Sequence, residues 1–178
     1  MRSLRAQKSL SLEALATRCD VSRSMLSLIE RGESSPTAVV LEKIAAGLGV
    51  TLASLFDDTS APPDPLARGA DRTTWKDPQS GYLRRNISPA FPSPIRIVEV
   101  EFPAGAKVAY ESGTRATATG TGAVAQQIWV LDGAIEITVG KTVHKLEKDD
   151  CLAMQLDAPI TFRNRTRRTA HYVVVLAA

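Results

Sequence analysis

The apolar positions of this chain change period near residue 57. Up to Phe56 they recur at helical spacing, as in Leu12, Leu15 and Ala16 and again in Leu41, Ile44, Ala45 and Leu48, the signature of helices with one buried stripe. The punctuation agrees. Ser11, Ser22 and Ser35 stand where they can cap helices beginning at Leu12, Arg23 and Pro36, Thr51 can cap a short last one, and Gly32 and Gly49 fall where helices end. Five short helices are predicted. The stretch DDTSAPPDPLARGAD is polar, proline-rich and aperiodic, so it reads as a linker. Beyond it the period becomes two: IRIVEVEF (95–102), QQIWVL (126–131), AIEITV (134–139), CLAMQL (151–156) and HYVVVL (171–176) are rich in β-branched and aromatic residues and are separated by turn residues. An all-α unit over 1–57, a linker over 58–72 and an all-β barrel or sandwich over 73–178 are expected.

Composition permits this division: 178 residues with 44% hydrophobic content can bury two small cores. A net charge of +3 does not by itself announce a nucleic-acid binder. The first residues lack the apolar core of a signal peptide, and no apolar run approaches the ~20 residues that span a bilayer. Cys19 and Cys151 lack CxxC spacing and fit reduced thiols better than a disulfide framework. A cytoplasmic protein without membrane association is expected.

Wound at about 100° per residue, 23–31 puts Met25, Leu26 and Ile29 on one arc, read as core, and Arg23, Ser24, Ser27, Leu28 and Arg31 on the other, free arc. An ordinary amphipathic helix would look the same. Its context is a helix ending near Cys19, the short link CDVS and a Ser-Pro start to the next helix. With the spacing throughout LSLEALATRCDVSRSMLSLIERGESSPTAVVLEKIAAGLGVTLASLF, this is similar to the helix-turn-helix of lambdoid phage repressors and the wider XRE family, over about residues 2–56. The resemblance implies that the helix from Arg23 enters the major groove while the preceding one crosses the backbone. It assigns base reading to Arg23, Ser24 and Leu28, and phosphate contacts to Ser11, Ser27, Arg31, Ser35 and Thr37. Leu28 is as well suited to packing on a sugar or a partner domain, and the serines to capping. Arg5 and Glu30 match an internal salt bridge of phage repressors.

In the β part, PAG (103–105), a strand ending in VLDG, DD (149–150) and FRN (162–164) before a last apolar strand resemble the cupin family, over about residues 80–178. The implied fold is a double-stranded β-helix, or jelly roll. Metal-binding cupins carry a glutamate seven residues before a glycine and a histidine four before an asparagine. Here those positions hold Gln126 and Ile160, and the two earlier histidines would fall near Gly120 and Gly122. Amide, glycine and isoleucine do not supply the donors a transition metal needs, so neither metal nor cofactor is expected. His144, in the turn-like GKTVHKL, and His171, at the start of the last strand, read as surface or interface residues. The arginines of RNRTRR read as a solvated loop.

If Gln126 points inward, alternation sends Ile128 and Val130 inward and Trp129 and Leu131 outward, to a subunit contact. Tyr110, Gln126, Ile160 and Phe162 would then line either a small-ligand pocket or a filled core. The resulting expectation is a homodimeric transcriptional regulator that binds a pseudo-palindromic double-stranded operator and senses a small organic effector in a metal-free barrel. Two alternatives stand beside it: a metal-independent cupin isomerase or epimerase fused to a DNA-binding domain, and a constitutive DNA-binding dimer whose barrel is a clamp.

Overall fold

Serine and threonine caps set the helix starts. The computed structural model describes residues 1–56, 62–110 and 125–177. Its first part contains α1 (Arg2–Gln7), α2 (Leu12–Cys19), α3 (Arg23–Glu30), α4 (Ala38–Leu48) and a 310 helix, Ala53–Phe56. Ser11 Oγ accepts from the Ala14 amide at 3.0 Å and Ser22 Oγ from the Met25 amide at 3.2 Å, satisfying donors that a helix start leaves open. Asp20 turns left-handed (φ 51°), which ends α2 and lets the Val21 amide reach the Ala16 carbonyl at 3.3 Å. The chain then enters α3 after three residues.

Two helix-level expectations need correction. Ser35 does not cap a helix at Pro36: α4 starts at Ala38, because Thr37 Oγ1 accepts from Val40 N at 3.4 Å and Asp77 Oδ1, from the β part, accepts from Ala38 N at 2.9 Å. Met25 is not core either. It is 37% exposed, and among the α3 residues only Leu26 is fully buried. The groove between the helices and the barrel leaves the Met25 side chain open along with Thr37, Lys43 and Lys107.

Leu15, Cys19, Leu26, Ile44 and Leu48 form the helical core. Gly47 lets α4 close on α2, since a Cβ there would lie 2.7 Å from the Cys19 Cβ. Arg5 clamps α1 to α3 by a two-pronged pair with Glu30, at 2.8 and 2.9 Å.

Ten strands follow among the described residues: β1 (Thr74–Lys76), β2 (Leu83–Asn86), β3 (Ile95–Phe102), β4 (Lys107–Tyr110), β5 (Ala125–Asp132), β6 (Ala134–Val139), β7 (Thr142–Glu147), β8 (Cys151–Gln155), β9 (Ile160–Arg163) and β10 (Ala170–Ala177). They form a six-stranded sheet, β1-β2-β3-β10-β5-β8, and a four-stranded one, β4-β9-β6-β7, antiparallel throughout. This is the jelly-roll barrel of the cupin type. His144 lies within β7 rather than in a turn; the hairpin turn is the shorter Gly140–Lys141 link before it. Gly133 closes β5 onto β6 at φ +77°, where a Cβ would meet the Thr169 carbonyl oxygen at 2.7 Å.

The barrel core contains Val98, Val100, Phe102, Ile128, Val130, Ile137 and Phe162, and it also takes in Ala38 and Ala53 from the helical part. The helical unit therefore packs directly on the barrel through the start of α4 and the 310 helix. No described helix is long and apolar enough to cross a membrane.

Candidate nucleic-acid interface and barrel cavity

The outward face of α3 collects the expected DNA-contacting side chains. Arg23, Ser24, Ser27, Leu28 and Arg31 line one shallow concavity with Leu12 of α2. Arg23 and Ser24 are exposed, and Leu28 is half-buried. Arg23 Nε lies 3.7 Å from Glu13 Oε2, both largely in solvent, a contact that is weak and screened. Arg31 is more constrained: it donates to both Glu33 oxygens (2.7 and 2.9 Å) and to Ser27 Oγ (2.7 Å). The hydrogen bond from Arg31 holds the Glu33 carboxyl below its ordinary range.

Ser11, at the exposed start of α2, and Ser35, exposed before α4, flank this face. Thr37 does not join it; it caps α4 and lines the separate groove against the barrel.

Inside the barrel, alternation along β5 runs as expected. Gln126, Ile128 and Val130 are buried while Gln127 and Trp129 are exposed, Trp129 by 49%. Leu131 is half-buried. Trp129 pairs across the outer sheet face with Cys151 on β8 and Val173 on β10.

Tyr110, Gln126, Ile160 and Phe162 line one cavity of about 90 Å³. The registers bring them together: Tyr110 stands opposite Ile160 between β4 and β9, and Gln126 enters from the facing sheet. Tyr82 and Tyr172 share the cavity, and the Tyr82 and Tyr110 hydroxyls are 3.2 Å apart. Burial raises the pKa of all three phenols, Tyr110 and Tyr172 most, so they remain neutral hydrogen-bonding groups at ordinary pH.

Several residues of this cavity escaped the sequence reading. Arg84 lies on β2, 9% exposed, its guanidinium carbon 5.4 Å from the centre of the Phe56 ring. Glu42, Thr51, Leu52 and Ala53, all from the helical unit, complete the wall. Arg85, the next residue, faces the other way and binds Glu99 and Glu101 on the outer face at 3.2 and 2.7 Å. Nothing in the sequence could have found the roof, because it is a contact between distant segments.

The donor set does not fit a cupin metal. An amide at 126 and an aliphatic chain at 160 replace anionic and imidazole donors, and no group of three His, Cys, Asp or Glu suited to a metal occurs among the described residues. Gly120 and Gly122 lie outside the described residues. His171 instead pairs with Glu99, Nε2 to Oε1 at 2.8 Å, on the outer sheet face. The arginines of RNRTRR are exposed while Asn164 between them is buried, with Arg165 on Glu136 and Arg168 on Asp132 at 3.1 and 3.2 Å.

Known proteins point the same way as the geometry. The helix-turn-helix family HTH_3 matches residues 1–55. The chain is 29% identical to the HTH-type transcriptional regulator SutR of Escherichia coli over 97% of its own length and 89% of that protein. It is 46% identical to the control protein C.MunI of a Mycoplasma species over 33% of this chain and 80% of that one. A crystal structure of an HTH_3 family transcriptional regulator from Vibrio cholerae superposes with a TM-score of 0.73 at 26% identity, covering 99% of this chain and 92% of the other. The capped turn between α2 and α3, the barrel behind it and these similarities lead to one conclusion: the chain belongs to the XRE-type helix-turn-helix transcriptional regulators, with a DNA-binding helical domain followed by a cupin domain.

Proposed function

We propose that this regulator acts in the cytoplasm as a homodimer that reads a pseudo-palindromic operator and changes its DNA affinity when a small organic effector occupies the metal-free barrel. Arg23 and Ser24 read base edges and Leu28 touches a thymine methyl or a sugar, while Ser11, Ser27, Arg31 and Ser35 hold phosphates; Thr37, which caps α4 in the separate groove, is not among them. Arg31 must exchange Glu33 for phosphate on binding. Trp129 and Leu131 lie in the dimer contact. The domain limits that go with this reading are 1–57, 58–72 and 73–178.

One observation carries the sensing role: the cavity lined by Tyr110, Gln126, Ile160 and Phe162 is also walled by Glu42, Thr51, Leu52 and Ala53 of the DNA-binding unit. A ligand there touches both units, so its affinity depends on how they are docked. That dependence is what a switch requires, because a ligand of equal affinity for both states shifts nothing.

The test begins with small molecules extracted from the purified protein and identified by mass spectrometry, followed by operator binding with and without each. Effector should change operator affinity, and in Gln126→Leu the ratio of the two affinities should fall to one. A full response in that variant defeats the reading, as does elemental analysis giving about one transition metal per barrel whose chelation abolishes DNA binding. A wild type indifferent to everything it binds would leave the barrel as a constitutive clamp, and turnover of a bound molecule would make it an enzyme.

A further inference from the structure

We propose that the cavity shared by the barrel and the DNA-binding unit is a receptor for a small monocarboxylate, with the Arg84 guanidinium as partner of the anion. This rests on the effector-sensing reading and gives the effector a chemical class.

Arg84 is a buried cation that lines the cavity, and no carboxylate lies within 4.0 Å of it among the described residues. Its neighbour on the same strand shows the contrast: Arg85 is held by two glutamates. A guanidinium largely withdrawn from water needs compensation, and the Phe56 ring face at 5.4 Å and the Tyr82 side chain supply part of it. A carboxylate supplies the rest, since its two oxygens match the guanidinium fork.

The remaining walls define the rest of the ligand. Arg84 is the one cation among the described residues lining the cavity, and a single guanidinium matches one carboxylate rather than a phosphate or dicarboxylate. Ile160, Phe162 and Leu176 offer an apolar seat for a hydrocarbon body. At roughly 10–15 Å³ for each water-sized group, about 90 Å³ admits roughly six to nine non-hydrogen atoms. Butyrate, hexanoate and benzoate are of that size.

The experiment uses the full-length protein, with hexanoate and benzoate against hexanamide and benzamide as probes. Binding is read by titration calorimetry and melting temperature at constant pH and ionic strength. The wild type should bind each acid at least about tenfold more tightly than its amide. In Arg84→Gln the acid affinity should fall to that of the amide, and Arg84→Lys should keep part of the preference. If Arg84→Gln does not fold, judged by circular dichroism, the acid-to-amide ratio of the wild type decides. Amides that bind as tightly as acids overturn the assignment, as do acids without detectable binding at millimolar concentration or a folded Arg84→Gln that binds acids like the wild type. Amides that match the acids and still change operator affinity would remove the carboxylate site and leave effector sensing standing. Acids that bind through Arg84 without changing operator affinity would support the site and remove the sensing role.

Discussion

Arg23 and Arg31 occupy the same face of α3 and differ in what already holds them. Arg23 faces only an exposed Glu13, whereas Arg31 is bound by Glu33 and Ser27. With base reading assigned to the first, Arg23→Ala should weaken specific binding by about 1–3 kcal/mol and relax preference at one base pair. Arg31→Ala should weaken all sequences evenly and make the salt dependence shallower. Binding to a library of operator variants at several salt concentrations separates the two, and equal sequence-independent losses would refute the assignment. On the outer sheet face, burial pushes the Glu99 carboxyl up, but hydrogen bonds from His171 and Arg85 more than offset it and hold the pKa low. A group held low contributes stability that is complete above its unfolded value, about 4.5, and is lost as pH falls through the folded value. Glu99→Gln should therefore flatten the loss of stability below about pH 4.5, as measured by urea midpoints across pH.

At the level of elements, legibility followed length. β3 and β6 run over the residues that alternation marks, because eight and six residues show the period clearly. β1, β2, β4 and β9 have three or four residues each, too few to display a period. Arg84 went unnoticed for that reason. Gln126, on an eight-residue strand, was placed correctly on the buried face. The start of α4 was misjudged for a different cause: local capping rules see Ser35 and Pro36, but the acceptor that fixes the first turn is Asp77, 39 residues away. Asp77 is 2% exposed, and its other oxygen accepts from the Ser80 amide at 2.7 Å and from the Ser80 hydroxyl. Asp77→Ala removes a buried carboxylate and strands the Ala38 amide. A loss of about 1–3 kcal/mol is expected, with amide exchange of α4 rising more than that of α2. Equal protection of both helices in the variant would show that the contact adds nothing to α4.

In the whole molecule, the outer face of the larger sheet presents Trp129 between Val173 and Cys151. A half-exposed tryptophan fits a subunit contact, where such residues dominate binding energy. Trp129→Ala in the full chain should raise the dimer dissociation constant by at least about thirtyfold, a cost of about 2 kcal/mol or more. Operator affinity should fall with it. Sedimentation equilibrium and operator titration on the same samples test this, and a variant that stays dimeric at the wild-type concentration would exclude that face. Deleting the barrel would be a poorer test, since Asp77 and the packing around Ala38 and Ala53 would go with it.

The Asp77 bond to Ala38 also has a consequence in time. The helical unit leaves the ribosome first, but Asp77, the second acceptor at the start of α4, lies on a segment made later, and the last strand of the barrel that holds that segment ends at Ala177. At roughly 5–20 residues per second, the 121 residues between Phe56 and Ala177 take roughly 6–24 s to synthesise. Through that interval a newborn chain carries a recognition helix but no finished seat for α4, so a gene product truncated during translation would be a poor competitor for the operator.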